Sequence, residues 1–283
     1  MKKETEKNSL TGFNTHYRLL AIDIDGTLVN DNNQVTSKTI EAIRQAQREG
    51  IRITLATGRF YPDAHYFARR IVCKCPMILI HGAVIQSFDG SIISQQILPA
   101  ESIPILVELA QKEEMPYQIF QDNRFIMAKK SKWNDIYLNY SEIEPLIVPD
   151  IVQYFKKHRD IFAFTFLGTP EKLDSLSKKV KEKLNGKISI ANAHPNLLEV
   201  VAPGVNKGRA LNELASKLDI PMSQVIAIGD SYNDIEMIKT AGLGVAMGNA
   251  PQEVKEVASF ITKDNNHDGI AHLVSHLLSH HAR

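Results

Sequence analysis

Cysteine is almost absent: the 283 residues hold two, Cys73 and Cys75, one position apart. Neighbours that close rarely meet disulfide geometry, and a lone C-x-C falls short of a structural zinc site's four ligands. They read as ordinary thiols of a reducing compartment. Excess charge of either sign is missing too, with 33 Lys and Arg against 32 Asp and Glu, formally +1. That balance gives no electrostatic case for nucleic acid or an anionic membrane as partner. No apolar run approaches the roughly 18 residues of a membrane helix. The opening, MKKETEKNSLTGFNTHYR, turns acidic and polar where a signal peptide has its apolar stretch. Residues 1–16 therefore read as a flexible extension, and the expected location is cytoplasmic. Internal repeats and low-complexity linkers are lacking as well. What remains is ordinary for a globular chain with a proper core, 43% hydrophobic and 23% charged. The length suits one domain with a sizeable insertion, or two modest ones.

The first strong signal is the short apolar run Tyr17–Ile22, stopped by Asp23-Ile24-Asp25-Gly26-Thr27. Such a run suits a buried parallel strand. Ser37 then opens a helix as its capping residue, with apolar Ile40, Ile43 and Ala46 and a stop at Gly50. A strand over Ile51–Ala56, a helix from Pro62 to Ile71 and a strand over Met77–Ile80 continue an alternation that predicts a parallel α/β sheet with helices on both faces. From residue 86 the character changes. Phe88-Asp89-Gly90-Ser91 reads as a hairpin turn, and further short strands and helices, including Ser102–Glu113 and 170–184, suggest an α+β unit. After Pro203-Gly204 the parallel rhythm resumes, with helices over 207–218, 232–239, 251–257 and 269–279 and strands between them. The expected architecture is a doubly wound, Rossmann-like core (17–86 and 197–283) interrupted by an inserted α+β domain (87–196).

Three core strands end in polar clusters: Asp23/Asp25, Thr57-Gly58-Arg59, and Gly229-Asp230-Ser231-Tyr232-Asn233-Asp234. In an open parallel sheet the carboxyl ends of the strands share one edge, where ligands bind. Asp23, Asp25, Asp230 and Asp234 crowded there repel one another unless protons or a cation intervene. Hard oxygen donors with few protein contacts suit Mg²⁺, which shares its shell with waters and a phosphate. Gly26 lets the chain turn tightly past the acids, and Thr57 and Gly58 can offer a hydroxyl and an open backbone N–H to a phosphoryl group. Lys207 opens a helix, where the dipole disfavours a cation unless an anion sits beside it. Near a phosphate it would neutralise charge and stabilise the transition state.

Taken together, Asp23–Leu28, Thr57-Gly58-Arg59, Lys207 and Gly229–Asp234 resemble the four motifs of the haloacid dehalogenase-like phosphatases, in order. The insertion between the second and third resembles the α/β cap of the Cof-type subgroup, as do Leu198–Lys207 and Asp268–Ala271. The resemblance covers nearly everything after residue 16. It implies Asp23 as the nucleophile forming an aspartyl-phosphate and Asp25 as the acid that protonates the leaving alcohol and then deprotonates water. It implies Mg²⁺ held by Asp23, by Asp25 through its backbone carbonyl or carboxylate, and by Asp230, with Asp234 supporting. Ile24, Thr57, Gly58, Lys207 and Asn233 would hold the phosphate of a small phosphorylated metabolite. His81 stands where related sequences usually carry Asn.

Plainer readings accompany these. Asp23/Asp25 and Thr57-Gly58-Arg59 could each be strand-ending turns, and Arg59 either a surface ion pair or a substrate contact. Ser231 and Asp234 fit a capping box. His272, His276 and His280 fall on one helical face, read as a solvated stripe, and Trp133, Tyr117 and Phe120 read as cap core. The leading function is a phosphatase. A phosphosugar mutase would need a second phosphate site, and a retired phospho-ligand sensor would normally have lost a key acid or the lysine. The sequence assigns no oligomeric state and no single substrate.

Overall fold

The computed structural model describes residues 16–135, 143–191 and 193–281. Strand β1 (Leu19–Ile22) pairs in parallel with β2 (Arg52–Leu55) on one side and with β12 (Val225–Gly229) on the other. Beyond β12 come β13 (Leu243–Ala246) and β14 (Phe260–Ile261), giving the order β14-β13-β12-β1-β2. The chain runs outward from β1 in both directions, so the switch point lies between β1 and β12, where open α/β sheets bind ligands.

Alternation along β1 divides the core into two layers. Leu20 and Ile22 pack with α1 (Ser37–Arg48), α2 (Tyr61–Arg70) and α9 (Gly269–His281), whose Ile43, Phe67 and Leu273 are buried there. Leu19 and Ala21 face α6 (Lys207–Lys217), α7 (Ile235–Thr240) and α8 (Gln252–Val257) through Leu211, Met237 and Val254. The parallel, doubly wound sheet expected from the sequence is present. The α1 cap is Thr36 rather than Ser37, its hydroxyl accepting from the Thr39 N–H at 3.1 Å.

Two expectations need correction. Strand β3 (Met77–Leu79) meets the parallel sheet only through a bridge between Ala56 and Ile78; it pairs antiparallel with β4 (Val84–Gln86), which pairs with β5 (Ile92–Gln95). The strand Leu197–Val201, placed in the parallel core on its apolar run, belongs to an antiparallel-rich sheet instead. That sheet has the order β10-β11-β9-β6-β7-β8. Its strands are β6 (Tyr117–Gln121), β7 (Arg124–Met127), β8 (Leu146–Ile147), β9 (Ala163–Leu167), β10 (Ser189–Ala191) and β11 (Leu197–Val201). Apolar sequence fixes burial but not which partner a strand adopts.

One face of this sheet packs on α3 (Ser102–Lys112), α4 (Ile151–Phe155) and α5 (Pro170–Lys183) through Leu106, Phe155 and Leu176. The other presents Phe120, Ala163 and Val201 to the parallel unit. Phe60, at the N-terminus of α2, stands edge-on to Phe125 at 4.7 Å and Phe120 at 6.0 Å, joining the two layers. Phe120 is thus core between the units, and Tyr117 packs on the opposite face with the cluster of Leu106, Phe155 and Leu176. Trp133 is half-buried. His272 and His276 are half-buried rather than solvated, their rings 4.3 Å apart beside Phe260. His280's side chain lies outside the described set.

Candidate active site

Strand β1 stops at Ile22, and Asp23 follows at the switch point with 4% of its surface exposed. The chain then coils through Ile24–Leu28, with Gly26 at φ 75°. A side chain there would be strained and would run into the Asp230 carboxylate, so glycine is what lets the two acidic loops close on each other. Thr27 donates its hydroxyl to Asp230 Oδ1 at 2.7 Å. Asn249, just past the end of β13, donates to the Gly26 carbonyl at 2.9 Å and to Asp230 Oδ2 at 3.3 Å.

Lys207, the first residue of α6, is 1% exposed, and its Nζ donates to Asp23 Oδ1 at 2.7 Å and Asp234 Oδ1 at 2.6 Å. Asp234 Oδ2 accepts the backbone N–H groups of Asp230 at 3.0 Å and Ser231 at 2.9 Å, completing the capping box read from the sequence. The carboxylate of Asp234 is thereby committed to holding Lys207 and the Asp230 loop. Burial pushes the Asp23 carboxyl well up, Lys207 opposes, and the neighbouring acids Asp234, Asp230 and Asp25 push it further up. Burial and Asp234 push Asp230 up to about 7. Burial pulls on Lys207 downward, but Asp23 and Asp234 overrule it and hold the ammonium charged.

Carboxylate oxygens of Asp23, Asp230 and Asp234 lie within 4.8 Å of one another. Asp25 stands apart from that group. Arg59 grips it in a fork, Nε to Oδ2 at 2.9 Å and Nη2 to Oδ1 at 2.6 Å, while Nη2 also reaches Asn33 at 3.1 Å. The guanidinium lies over the Phe67 ring, largely buried, and so is not a surface ion pair; it also borders the cavity onto which Asp23 and Asp25 open. The Asp25 side chain remains 59% exposed. The Asp25 carboxylate thus faces Arg59 and is not among the oxygens gathered around Asp23.

Asp23, Asp25, Gly58 and Asn233 open onto one cavity of about 450 Å³, shared with Arg59, His81, His194 and Glu199. Thr57 is fully buried beside it, its hydroxyl accepting the Arg59 N–H at 3.1 Å and its carbonyl the His81 N–H at 3.0 Å. Ile24 is buried with its side chain in the core, so only its backbone could serve a phosphate. A larger cavity, about 1080 Å³, lies away from these acids against Tyr117, Lys129 and Ile151. Sequence reasoning missed Asn249, Glu199 and His194. Asn249 was findable, because it too follows the carboxyl end of a core strand.

This sheet order, with a buried carboxylate at the switch point and a lysine from a later helix beside it, sets an acidic centre where open α/β sheets bind ligands. A family model for haloacid dehalogenase-like hydrolases matches residues 20–274, and the chain belongs to that family. Phosphatase YwpJ of Bacillus subtilis is 28% identical over 92% of this chain and 100% of its own length. The 5-amino-6-(5-phospho-D-ribitylamino)uracil phosphatase YcsE of the same organism is 32% identical, covering 92% and 95%. A crystal structure of a haloacid dehalogenase-like hydrolase from Bacteroides thetaiotaomicron superposes with a TM-score of 0.84 at 28% identity, over 92% of this chain and 99% of that one. The chain is a phosphatase of this family. Among the described residues no helix is long and apolar enough to cross a membrane.

Proposed function

We propose that this phosphatase hydrolyses phosphate monoesters of small polar metabolites, with Asp23 as nucleophile and Mg²⁺ as cofactor. The observation that carries the reading is Asp23 itself, held by Lys207 at 2.7 Å at the edge of the cavity. The donor set fits Mg²⁺. Asp23 and Asp230 offer hard oxygens close together, and burial with the neighbouring acids raises both carboxyls despite Lys207, a bias a cation would offset. When bound, the ion would polarise the phosphoryl oxygens and offset the charge of the ionised acids.

In this reading an Asp23 oxygen attacks phosphorus while the bond to the leaving oxygen breaks, and Asp25 passes its proton to that oxygen. Asp25 then takes a proton from water, the water oxygen bonds to phosphorus, and the bond to Asp23 breaks to release phosphate. Arg59 fixes where the Asp25 carboxyl can make these transfers. Lys207 stabilises the charge on the phosphoryl group, and Thr57, Gly58, Asn233 and the Ile24 backbone hold it. The α+β insertion would serve as a cap over the leaving group.

The cavity volume suits a small metabolite. Acids Asp31, Asp63 and Glu199 (the last of them buried beside His81) and amides Asn30, Asn33 and Asn265 are also among its lining. Arg59, the one arginine or lysine lining it among the described residues, is already paired with Asp25. Such walls suit a neutral or cationic leaving group rich in hydroxyl or amino groups, and they disfavour the second phosphate that a mutase would need. YcsE bears the name of a phosphoribityl substrate, a leaving group of this kind.

The test is phosphate release across a panel of sugar, nucleotide and cofactor monophosphates and their bisphosphate counterparts, with Mg²⁺ and with chelator. Release from monophosphates, dependent on Mg²⁺ and lost in Asp23→Asn, is expected. No release from any member, or full activity of Asp23→Asn, would sink the reading.

A further inference from the structure

Residue His81 lies between the two sheets, in a segment whose backbone is unusual: Ile80, His81 and Gly82 all have positive φ, at 49°, 57° and 100°. Histidine is among the few non-glycine residues tolerated there. Its side chain is 2% exposed, and each ring nitrogen faces a polar side chain. Nε2 lies 3.0 Å from a carboxylate oxygen of Glu199, whose side chain is also 2% exposed. Nδ1 lies 3.1 Å from Nδ2 of Asn233. The Asn233 amide nitrogen only donates, so Nδ1 accepts from it and the ring proton sits on Nε2, on the side of Glu199. The remaining N–H of that amide is left for another acceptor. The ring also lies so close to Gly58 that any side chain at 58 would collide with it.

We propose that His81 is a positioning residue for phosphate binding, oriented by Glu199 and acting through Asn233 and Gly58. The proposal rests on the reading of those two residues as phosphate-holding groups. Glu199 is well placed for the task, because its strand β11 is paired on both sides, with Thr165 of β9 and Ala191 of β10 in register. The ring is thus anchored to the antiparallel-rich sheet while it sets groups on the parallel one.

Isosteric substitutions separate the two nitrogens. Asn at 81 places a polar atom near the position of Nδ1, whereas Gln reaches only to that of Nε2. The measurements are competitive inhibition by inorganic phosphate, together with kcat and KM for 4-nitrophenyl phosphate. One oriented hydrogen bond corresponds to roughly a threefold to tenfold change in affinity. His81→Leu and His81→Gln should weaken phosphate inhibition and raise KM by about that factor, with kcat changing less. His81→Asn should restore phosphate affinity most of the way. In a double substitution with Asn233→Ala, His81→Leu should add little to the loss caused by Asn233→Ala alone. Unchanged phosphate affinity in His81→Leu, an Asn variant as impaired as Leu, or additive losses would overturn the proposal. If the Leu variant does not fold, the contrast between Asn and Gln decides. Wild type that releases no phosphate would sink the proposed function instead, a distinct outcome.

Discussion

Asp230 should favour the folded, metal-free protein as pH falls, against the usual sign for a carboxylate. A carboxyl group whose pKa is higher in the folded chain binds protons more tightly there. Holding Asp230 ionised therefore costs nothing below the ordinary 3.8 and reaches its full cost once the pH passes about 7. That gap is worth roughly 4 kcal/mol if nothing screens it. Asp230 is partly open to the crevice, and only part of the window falls between pH 7.5 and 5, so about 2 kcal/mol is the expected gain on acidification. At the usual conversion for chains of this size that is a rise of roughly 5 °C in Tm. Asp23, also raised, acts with the same sign. Surface acids such as Glu41 and Glu113, held low by Arg48 and Lys179, act with the opposite sign. The informative quantity is accordingly the difference between wild type and Asp230→Asn, followed by thermal denaturation in chelator from pH 8 to 5. Wild type should gain on the variant as pH falls, and Mg²⁺ at pH 7.5 should remove most of the difference. Parallel curves for the two proteins would refute the electrostatic account of the acid cluster.

Other expectations are simpler to state. Lys207→Met removes the cation shared by two buried carboxylates and should cost about 3–5 kcal/mol in urea unfolding at pH 7.5; a loss under 1 kcal/mol would contradict the geometry. Gly26→Ala combines a disfavoured φ with a collision against Asp230, so a loss of about 2 kcal/mol and of Mg²⁺-dependent turnover is expected. Arg59→Ala frees the Asp25 carboxyl; kcat should drop by roughly tenfold to a hundredfold, within the range of positioned acid–base catalysis, with a smaller change in KM. Thermal denaturation of the same variant separates that effect from unfolding.

Much of the site was legible because of a single geometrical rule. Short apolar runs ending in acids or Gly mark parallel strands, and their carboxyl ends must converge, which sets Asp23, Thr57 and Asp230 along one edge of the sheet. Lys207 was betrayed by a charge at the wrong end of a helix. The same apolar runs were silent on direction and partner. Met77–Leu79 and Leu197–Val201 looked like further core strands, yet one turns into an antiparallel hairpin sheet and the other belongs to the insertion. Glu199 was hidden for that reason, as one acid inside an apolar strand. The fork between Arg59 and Asp25 was also out of reach, because it depends on rotamers, and it sets the Asp25 carboxylate apart from the Asp23, Asp230 and Asp234 group.

The passage from β11 into α6 sets a mechanical limit. Only Ala202–Asn206 lie between the last residue of the strand and Lys207, and this link is partly coiled, with the Val205 N–H bonded back to Ala202 at 3.1 Å. Fully drawn out, it keeps Val201 within roughly 20 Å of Lys207. The link is therefore a leash with some slack, one end on the strand that carries Glu199 and the other on the lysine that holds Asp23. Whatever else moves, the strand that carries Glu199 and the lysine that holds Asp23 cannot part by more than this covalent reach, so the two sheets stay coupled at the edge where the acids lie.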